Sequence, residues 1–247
     1  MKKIENVAYG NAHQRQVLDI YLPEGEVKAA FLYFHGGGLA KGDKRAAERP
    51  ASYLVEQGVA VFSANYRLYP EAKYPEFIHD AAKASAWVYN YITEKLSCDK
   101  LVIGGSSAGG YISMMLCFDP QYLTSAGLAP SKVSGYYHDA GQPTAHFNVL
   151  KERGVDPKRI IVDESAPLFH MGTQESYPPM RFIVSDNDMK NRPEQMELVV
   201  GTMNHFGYEN FDRVIMHGTH CAYCGTLDEN GVSVFGPMIW DFINKVL

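Results

Sequence analysis

Cysteine is scarce in this sequence, with only Cys98, Cys117, Cys221 and Cys224 among 247 residues. Four cysteines at such irregular spacing do not make the disulfide framework of a small secreted protein, so we expect reduced thiols. Cys221 and Cys224 do form a C-x-x-C pair. A redox or metal role would need a thioredoxin-like context or a second pair of ligands, and the sequence shows neither. We therefore expect no metal site and no cofactor.

Excess positive charge and long apolar segments are missing as well. The 23 Lys and Arg residues are scattered and outnumbered by 28 Asp and Glu, which excludes a basic surface for nucleic acid. No segment has the 18 or so consecutive apolar residues of a membrane span. The basic start Met1–Asn6 is not followed by the apolar run of a signal peptide. We expect a cytoplasmic protein whose partner is a small molecule, and the sequence leaves its oligomeric state open.

Short β-rich runs alternate with longer helical stretches along the whole chain. Residues 1–247 show no repeat, low-complexity tract or change of composition, so a single domain is expected. The strands are predicted at Val17–Leu22, Ala30–Phe34, Val59–Ala64, Leu101–Gly104, Val133–Tyr137, Met180–Val184 and Phe211–Met216. The helices are predicted at Ala46–Gln57, Pro75–Glu94, Ala108–Phe118, Pro193–Phe206 and Pro237–Lys245. This alternation predicts an α/β fold with a mostly parallel sheet covered by helices on both faces.

The segment from 137 to 177 fits this alternation least well. It is rich in proline, histidine and charge, with one helical piece near Phe147–Arg153. Insertions of this kind often form a lid or a pocket wall, although a plain surface excursion is also compatible with the sequence. In parallel sheets ligands bind at the carboxyl ends of the strands, so the functional residues should follow strands.

A serine flanked by glycines follows the fourth predicted strand. Gly105-Ser106-Ser107-Ala108-Gly109 reads G-x-S-x-G and stands between an apolar run and a helical pattern. A nucleophilic serine has to project from a sharp strand-to-helix turn, and flanking glycines let the backbone pass there without clashes. Ser107 is the candidate nucleophile because only this serine has glycine at both two-residue offsets. The amide of Ala108, at the start of the helix, is a candidate donor to an oxyanion.

A second glycine-rich run, His35-Gly36-Gly37-Gly38, follows the strand that ends at Phe34. Backbone amides can approach a substrate oxygen closely where no side chain blocks them, so Gly37 and Gly38 are the further candidates for an oxyanion hole. His35 precedes the nucleophile in the chain. We interpret it as a residue that fixes this loop rather than as the general base.

Together with Asn65-Tyr66-Arg67-Leu68-Tyr69-Pro70-Glu71, these motifs resemble the HGGG-type esterases of the α/β-hydrolase superfamily. The relatives in question are hormone-sensitive lipase, kynurenine formamidase and the acetyl-xylan and feruloyl esterases. The resemblance extends from about residue 7 to the C-terminus and is thinnest between 137 and 165. It implies an α/β-hydrolase fold, a structural role for the segment around Tyr66-Arg67-Leu68, and a catalytic triad in the order Ser, Asp, His.

Two acids and two histidines compete for the remaining triad positions. Asp186 and Asp188 follow the predicted strand 180–184, and His217 and His220 follow the strand 211–216. The family pattern places its acid where Asp188 stands and its histidine where His220 stands. Asp186 and His217 are then interpreted as residues beside the site. The family usually has glycine and an aromatic residue after the histidine, where this chain has Cys221 and Ala222.

The resemblance implies a serine carboxylesterase that acts on small, short-chain esters through an acyl-enzyme. An amide hydrolase of the formamidase or peptidase kind is the alternative, because the same triad cleaves both esters and amides. A ligand-binding module without activity would be expected to have lost triad residues. All three candidate positions are occupied by suitable residues here, which disfavours that interpretation.

Overall fold

The computed structural model describes residues 1–247 and contains one eight-stranded sheet. Its strands are β1 (Lys2–Ala8), β2 (Val17–Leu22), β3 (Ala29–Phe34), β4 (Val59–Ala64), β5 (Leu101–Ser106), β6 (Val133–Asp139), β7 (Met180–Asn187) and β8 (Phe211–Thr219). They lie in the order β1-β2-β4-β3-β5-β6-β7-β8, so that β1 and β8 are the two edges. The β1–β2 and β2–β4 pairs are antiparallel and the other five pairs are parallel, so β2 alone runs against the direction of the remaining strands. The predicted mostly parallel sheet is confirmed.

Helices cover both faces of this sheet. They are α1 (Glu48–Glu56), α2 (Glu76–Lys95), α3 (Ala108–Phe118), α4 (Gln121–Ser125), α5 (Phe147–Glu152), α6 (Pro167–His170), α7 (Arg192–His205) and α8 (Phe235–Val246). Buried side chains of α2, α3 and α7 belong to the larger core on one face. Those of α1 and α8 form the smaller core on the other. No helix is both long and apolar enough to cross a membrane.

The central strands consist of apolar residues because both their faces are covered. Every residue of β3, β4 and β5 is buried, and α3 is buried along its whole length. Each Å² of apolar surface removed from water stabilises the folded state by about 25 cal/mol, which favours this three-layer arrangement. The predicted α3 matches the observed helix at both ends. Three of these elements were not predicted: β1, in which three of seven residues are charged, and the short helices α4 and α6.

The sheet extends further than predicted where β7 and β8 run together. We expected loops at 185–188 and 217–220, but β7 continues to Asn187 and β8 to Thr219. The two strands remain paired as far as Asn187 and Thr219, with a register shift after Ser185. Polar side chains at these positions hide the apolar pattern from which strands are predicted. The strands continue nevertheless, because the backbone hydrogen bonds between them do not depend on side-chain polarity. The candidate acid Asp188 and histidine His220 consequently come directly after the last residues of two paired strands.

The segment after β6 packs against the body of the protein. Tyr111 of α3 donates a hydrogen bond of 2.7 Å to the carbonyl of Ser165, and Tyr74 donates one of 2.7 Å to the carbonyl of Glu164. Ala140 and the residues from Gln142 to His146 are buried. The predicted helical piece is present as α5. This part of the segment is therefore anchored beside the carboxyl ends of the central strands.

Candidate active site

Ser107 occupies the sharp turn between β5 and α3. Its backbone angles, φ 56° and ψ −111°, lie outside the regions that most residues adopt. A side chain at Gly105 would put its Cβ 2.6 Å from the carbonyl oxygen of Phe34, and one at Gly109 would overlap the same oxygen. The glycines of the motif are thus required because α3 starts directly against β3. The turn is fixed by a hydrogen bond of 2.8 Å from the Ser107 amide to the carbonyl of Asp139.

Three of the predicted site residues form one hydrogen-bonded chain. Ser107 Oγ lies 2.8 Å from Nε2 of His220, and Nδ1 of His220 lies 2.5 Å from Oδ1 of Asp188. The residues come from the carboxyl ends of β5, β7 and β8, the edge at which the sequence predicted the site. A hydroxyl donating to a histidine that in turn donates to a carboxylate is the arrangement that activates a serine.

The carboxylate of Asp188 is fully buried and held by the backbone. It accepts hydrogen bonds from the amides of Met189, at 2.7 Å, and Ser185, at 3.2 Å. Burial by itself would raise its pKa, but the hydrogen bond from His220 and these amides hold the pKa below its usual value. In turn, although burial opposes it, the Asp188 carboxylate raises the pKa of His220. Such a carboxylate fixes the imidazole tautomer and stabilises the imidazolium that forms in the reaction.

The competing pair, Asp186 and His217, lies outside this chain. His217 Nδ1 is 2.6 Å from Asp186 Oδ2, and the His217 side chain is 97% exposed. Asp186 also accepts a hydrogen bond of 2.9 Å from the amide of Gly218. Side chains two positions apart in a regular strand point to the same face. The register shift after Ser185 interrupts that regularity between the two acids, which face different partners. The pair has no hydrogen bond to Ser107 or His220.

The three candidate oxyanion donors lie on two loops beside Ser107. Gly37 and Gly38 have φ values of +118° and +64°, and their amides donate to no acceptor within the chain. A Cβ at Gly37 would collide with the backbone of Lys41, so only glycine fits there. The amide of Ala108 is the first of α3 and points out of the helix start. A Cβ at Gly36, the residue before Gly37, would be 3.2 Å from Cβ of Ser107, which shows how closely the two loops approach each other.

His35 is buried behind the glycine loop. Nδ1 donates to the carbonyl of Gly36 at 2.7 Å, and Nε2 lies 3.3 Å from Arg15, which can donate to it. The ring stacks on Tyr66 at 4.5 Å, and the Tyr66 hydroxyl donates to the His35 carbonyl. Burial, together with the charge of Arg15, lowers the pKa of His35 to about 4, so the ring stays neutral at pH 7. His35 thus lies where it can fix the loop, the role interpreted for it from the sequence, and Tyr66 holds His35 by stacking and by the hydrogen bond to its carbonyl.

Sequence reasoning missed the residues that support the site from the segment after β6 and from the start of α7. Phe147 lies against Gly38, where a Cβ would be 3.1 Å from the ring, and the Asn148 amide donates to the Gly38 carbonyl. Arg192, at the start of α7, is buried and donates to the carbonyl of Ala140 and to Gln142. These contacts join residues far apart in the chain, and no local motif marks them.

A cleft of about 870 Å³ opens between residues 157–160 and 189–195. Its walls include Phe147, next to the glycine loop, and Met189, next to the candidate acid. Four basic side chains and one acidic one line it: Lys158, Arg159, Lys190, Arg192 and Glu194. A second cleft, of about 730 Å³, lies among residues 23–28 and 52–58. Neither is lined by Ser107, His220 or Asp188, so the serine does not open into a large apolar cavity there.

The architecture is that of an α/β-hydrolase, and two solved esterases share it over 85% and 94% of their own chains. Esterase B from Lactobacillus rhamnosis superposes with a TM-score of 0.80 at 16% identity, covering 99% of this chain and 85% of that one. Thermogutta terrifontis esterase 2, phosphoramylated by tabun, gives a TM-score of 0.75 at 21% identity, with 98% and 94% covered. At these identities the likeness establishes the fold.

Within this fold class, the chain belongs to the BD-FAE family, whose model matches residues 18–146. An AB hydrolase superfamily protein of Schizosaccharomyces pombe is 39% identical over 88 residues, which is 35% of this chain and 26% of that protein. Esterase LipI of Mycobacterium tuberculosis is 34% identical over 97 residues, 38% of this chain and 30% of the relative. The matched segments thus span between a quarter and a third of these two relatives.

Proposed function

We propose that this protein is a serine carboxylesterase with Ser107 as nucleophile, His220 as general base and Asp188 as the acid that orients it. The observation that carries the proposal is the continuous hydrogen-bonded chain of these three residues at the carboxyl edge of the sheet. The names of the relatives are consistent with it, since LipI is an esterase and LipN a carboxylic ester hydrolase.

The geometry supports a two-step acyl transfer. His220 Nε2 accepts the proton of Ser107 as Oγ attacks the ester carbonyl, and Asp188 stabilises the resulting imidazolium. The amides of Gly37, Gly38 and Ala108 would donate to the oxyanion, each worth about 3 kcal/mol of transition-state stabilisation in comparable sites. His220 then returns the proton to the leaving alcohol. A water molecule, deprotonated by the same imidazole, releases the acid from the acyl-enzyme.

We further propose that the acyl group is short. Phe147 packs against Gly38 beside the nucleophile, and the two large clefts do not reach Ser107. One relative, 28% identical over 108 residues, is an acetyl esterase of Salmonella paratyphi. Esterase B from Lactobacillus rhamnosis has been solved with a C4-C4 tributyrin phosphonate inhibitor. Both names are consistent with a short acyl group, and another structure of the same esterase B carries a C6-C4 inhibitor.

The experiment is a panel of p-nitrophenyl esters from acetyl to dodecanoyl, run on the wild type and on Ser107→Ala, with N-formylkynurenine as an amide. We expect the highest kcat/KM between acetyl and butyryl, and loss of both hydrolysis and organophosphate labelling in the variant. A single labelled site in Ser107→Ala would show that another residue is the nucleophile. Higher kcat/KM on dodecanoyl than on butyryl esters would contradict the short acyl group, and higher kcat/KM on the amide would favour the amide hydrolase.

A further inference from the structure

Cys221 and Cys224, whose C-x-x-C spacing alone indicated no site, meet a buried carboxylate in the structure. Asp139, at the end of β6, is fully buried, and its Oδ2 lies 3.2 Å from Sγ of Cys224. One carboxylate oxygen of Asp139 and the two sulfurs all lie within 4.8 Å of one another. The sequence does not reveal the third group because Asp139 ends a different strand, and the sheet brings it to the same edge as the cysteines.

The separations suit a small thiophilic cation. Zinc binds thiolate sulfur at about 2.3 Å and carboxylate oxygen at about 2.1 Å, which places tetrahedral ligand atoms about 3.5–3.8 Å apart. A contraction of at most about an ångström from the observed arrangement therefore closes the site. Both cysteines are half-buried, so a cation can reach them from solvent.

The surroundings of Asp139 hold it in place as outer-shell residues hold metal ligands. The Tyr223 hydroxyl donates to its other oxygen, Oδ1. Ser106 Oγ lies 3.5 Å from Sγ of Cys224 and accepts a hydrogen bond of 3.0 Å from Tyr33. The carboxylate and one thiol are thereby oriented before any ion arrives.

The site adjoins the candidate general base directly. Cys221 is the residue after His220, and its Sγ lies 3.8 Å from Nε2 of His220. That separation is close to the ligand spacing of a zinc tetrahedron, and Nε2 is the nitrogen that faces Ser107. A lone pair bound to a cation cannot accept the serine proton.

We infer that Asp139, Cys221 and Cys224 form an inhibitory site for a thiophilic divalent cation such as Zn²⁺. These three groups already lie together, whereas the imidazole of His220 is outside the group, 3.8 Å from Sγ of Cys221, and has to turn away from Ser107 for Nε2 to become the fourth ligand. On binding, each thiol releases its proton to solvent and its sulfur coordinates as thiolate, while His220 gives up its hydrogen bond to Ser107. The ion takes no part in the hydrolysis. Because protons are released, binding should strengthen as the pH rises.

The first test measures how Zn²⁺ inhibits the hydrolysis of p-nitrophenyl acetate. A phosphine reductant that does not chelate the metal is present to keep the thiols reduced. Inhibition is expressed relative to each protein's own metal-free rate. The wild type and Cys98→Ser, a buried thiol elsewhere in the fold, should show the same half-inhibitory concentration, and EDTA should restore activity. In Cys221→Ser and Cys224→Ser that concentration should rise at least about tenfold, as expected for loss of a metal contact. Equal inhibition of all four proteins would overturn the inference.

The second test does not depend on hydrolysis and so separates this inference from the proposed esterase activity on which the inhibition assay rests. Ser107→Ala is titrated with Co²⁺, and thiolate-to-metal charge-transfer absorption is recorded in the near ultraviolet. The band should saturate at one ion per chain and be lost in Ser107→Ala/Cys224→Ser. Absence of the band from Ser107→Ala would show that the cysteines do not bind the metal, and an undiminished band in the double variant would show that Cys224 is not a ligand; either result would overturn the inference.

Discussion

At the scale of single residues, the site depends on which of two acids faces His220. Asp188 is buried and lies in line with His220 and Ser107, whereas Asp186 forms a separate pair with the exposed His217. The two acids lie two positions apart on one strand end, so exchanging either for asparagine is a matched pair of variants.

We expect Asp188→Asn to lower kcat by about three to four orders of magnitude while the protein stays folded, because loss of such a carboxylate leaves the imidazole in the wrong tautomer. Asp186→Asn should change kcat by less than about threefold, since its partner is on the surface. Steady-state kinetics and thermal midpoints of both variants are the measurement. Near-normal turnover of Asp188→Asn together with an inactive Asp186→Asn would reverse the assignment.

The pH dependence follows from the same contact. Free histidine titrates near 6.5, and the Asp188 carboxylate raises the pKa of His220. A general base works only when deprotonated, so kcat/KM should rise with pH through an apparent pKa above about 6.5. The residual rate of Asp188→Asn should show this limb displaced to lower pH. An acid limb well below 6.5 in the wild type would contradict this assignment of the base.

At the scale of elements, the close contact of α3 with β3 holds the nucleophile in its turn. The carbonyl of Phe34 occupies the space that a Cβ at Gly109 would need. Gly201, in the exposed middle of α7, has no atom within 4 Å of such a Cβ. The two glycines therefore allow the same substitution to be tested in crowded and in open surroundings.

Gly109→Ala should lower the free energy of unfolding by about 1–3 kcal/mol or more and reduce kcat, because α3 must move away from β3. Gly201→Ala should raise it by up to about 1 kcal/mol, the difference in helix propensity. Urea denaturation of both variants gives the comparison. An unchanged midpoint and unchanged kcat in Gly109→Ala would mean that the turn does not depend on this packing.

The sequence predicts these elements well where a pattern is local. Apolar runs mark β2 to β6, and the helix after Ser107 is matched at both ends. Local patterns do not reveal β1, where charged residues pair along a sheet edge, or the continuation of β7 and β8 into polar residues. In the site, motifs and family resemblance select Ser107, Asp188 and His220. Asp139, Asn148 and Arg192 carry no such signal, because only tertiary packing brings them to the site.

At the scale of the whole molecule, charge is distributed unevenly. The net charge is −5, yet the cleft beside Phe147 and Met189 has four basic side chains against one acidic one. A local positive field in a cleft raises the encounter rate of anionic ligands. Lys158 and Arg159 are exposed, so they can be changed with little risk to folding.

The probe is a p-nitrophenyl ester that carries a free carboxylate. We expect its kcat/KM to fall several-fold as the ionic strength increases from about 0.01 to 1 M, because the Debye length shrinks over that range from about 30 to 3 Å. A neutral ester of the same length is the control and should change little. Lys158→Glu/Arg159→Glu should remove most of the salt dependence. Equal salt dependence of both esters in the wild type would show that the cleft does not attract the substrate.

The two edges of the sheet carry charges that limit self-association. On β1, Lys3 forms ion pairs with Glu5 and Glu48, and on β8, Arg213 pairs with Glu197 of α7. An edge strand has unpaired backbone groups to which a strand of another molecule could add, and charged side chains oppose that addition. A few surface charges at opposite ends of the sheet therefore oppose the addition of further strands, although such exposed pairs contribute little to folding.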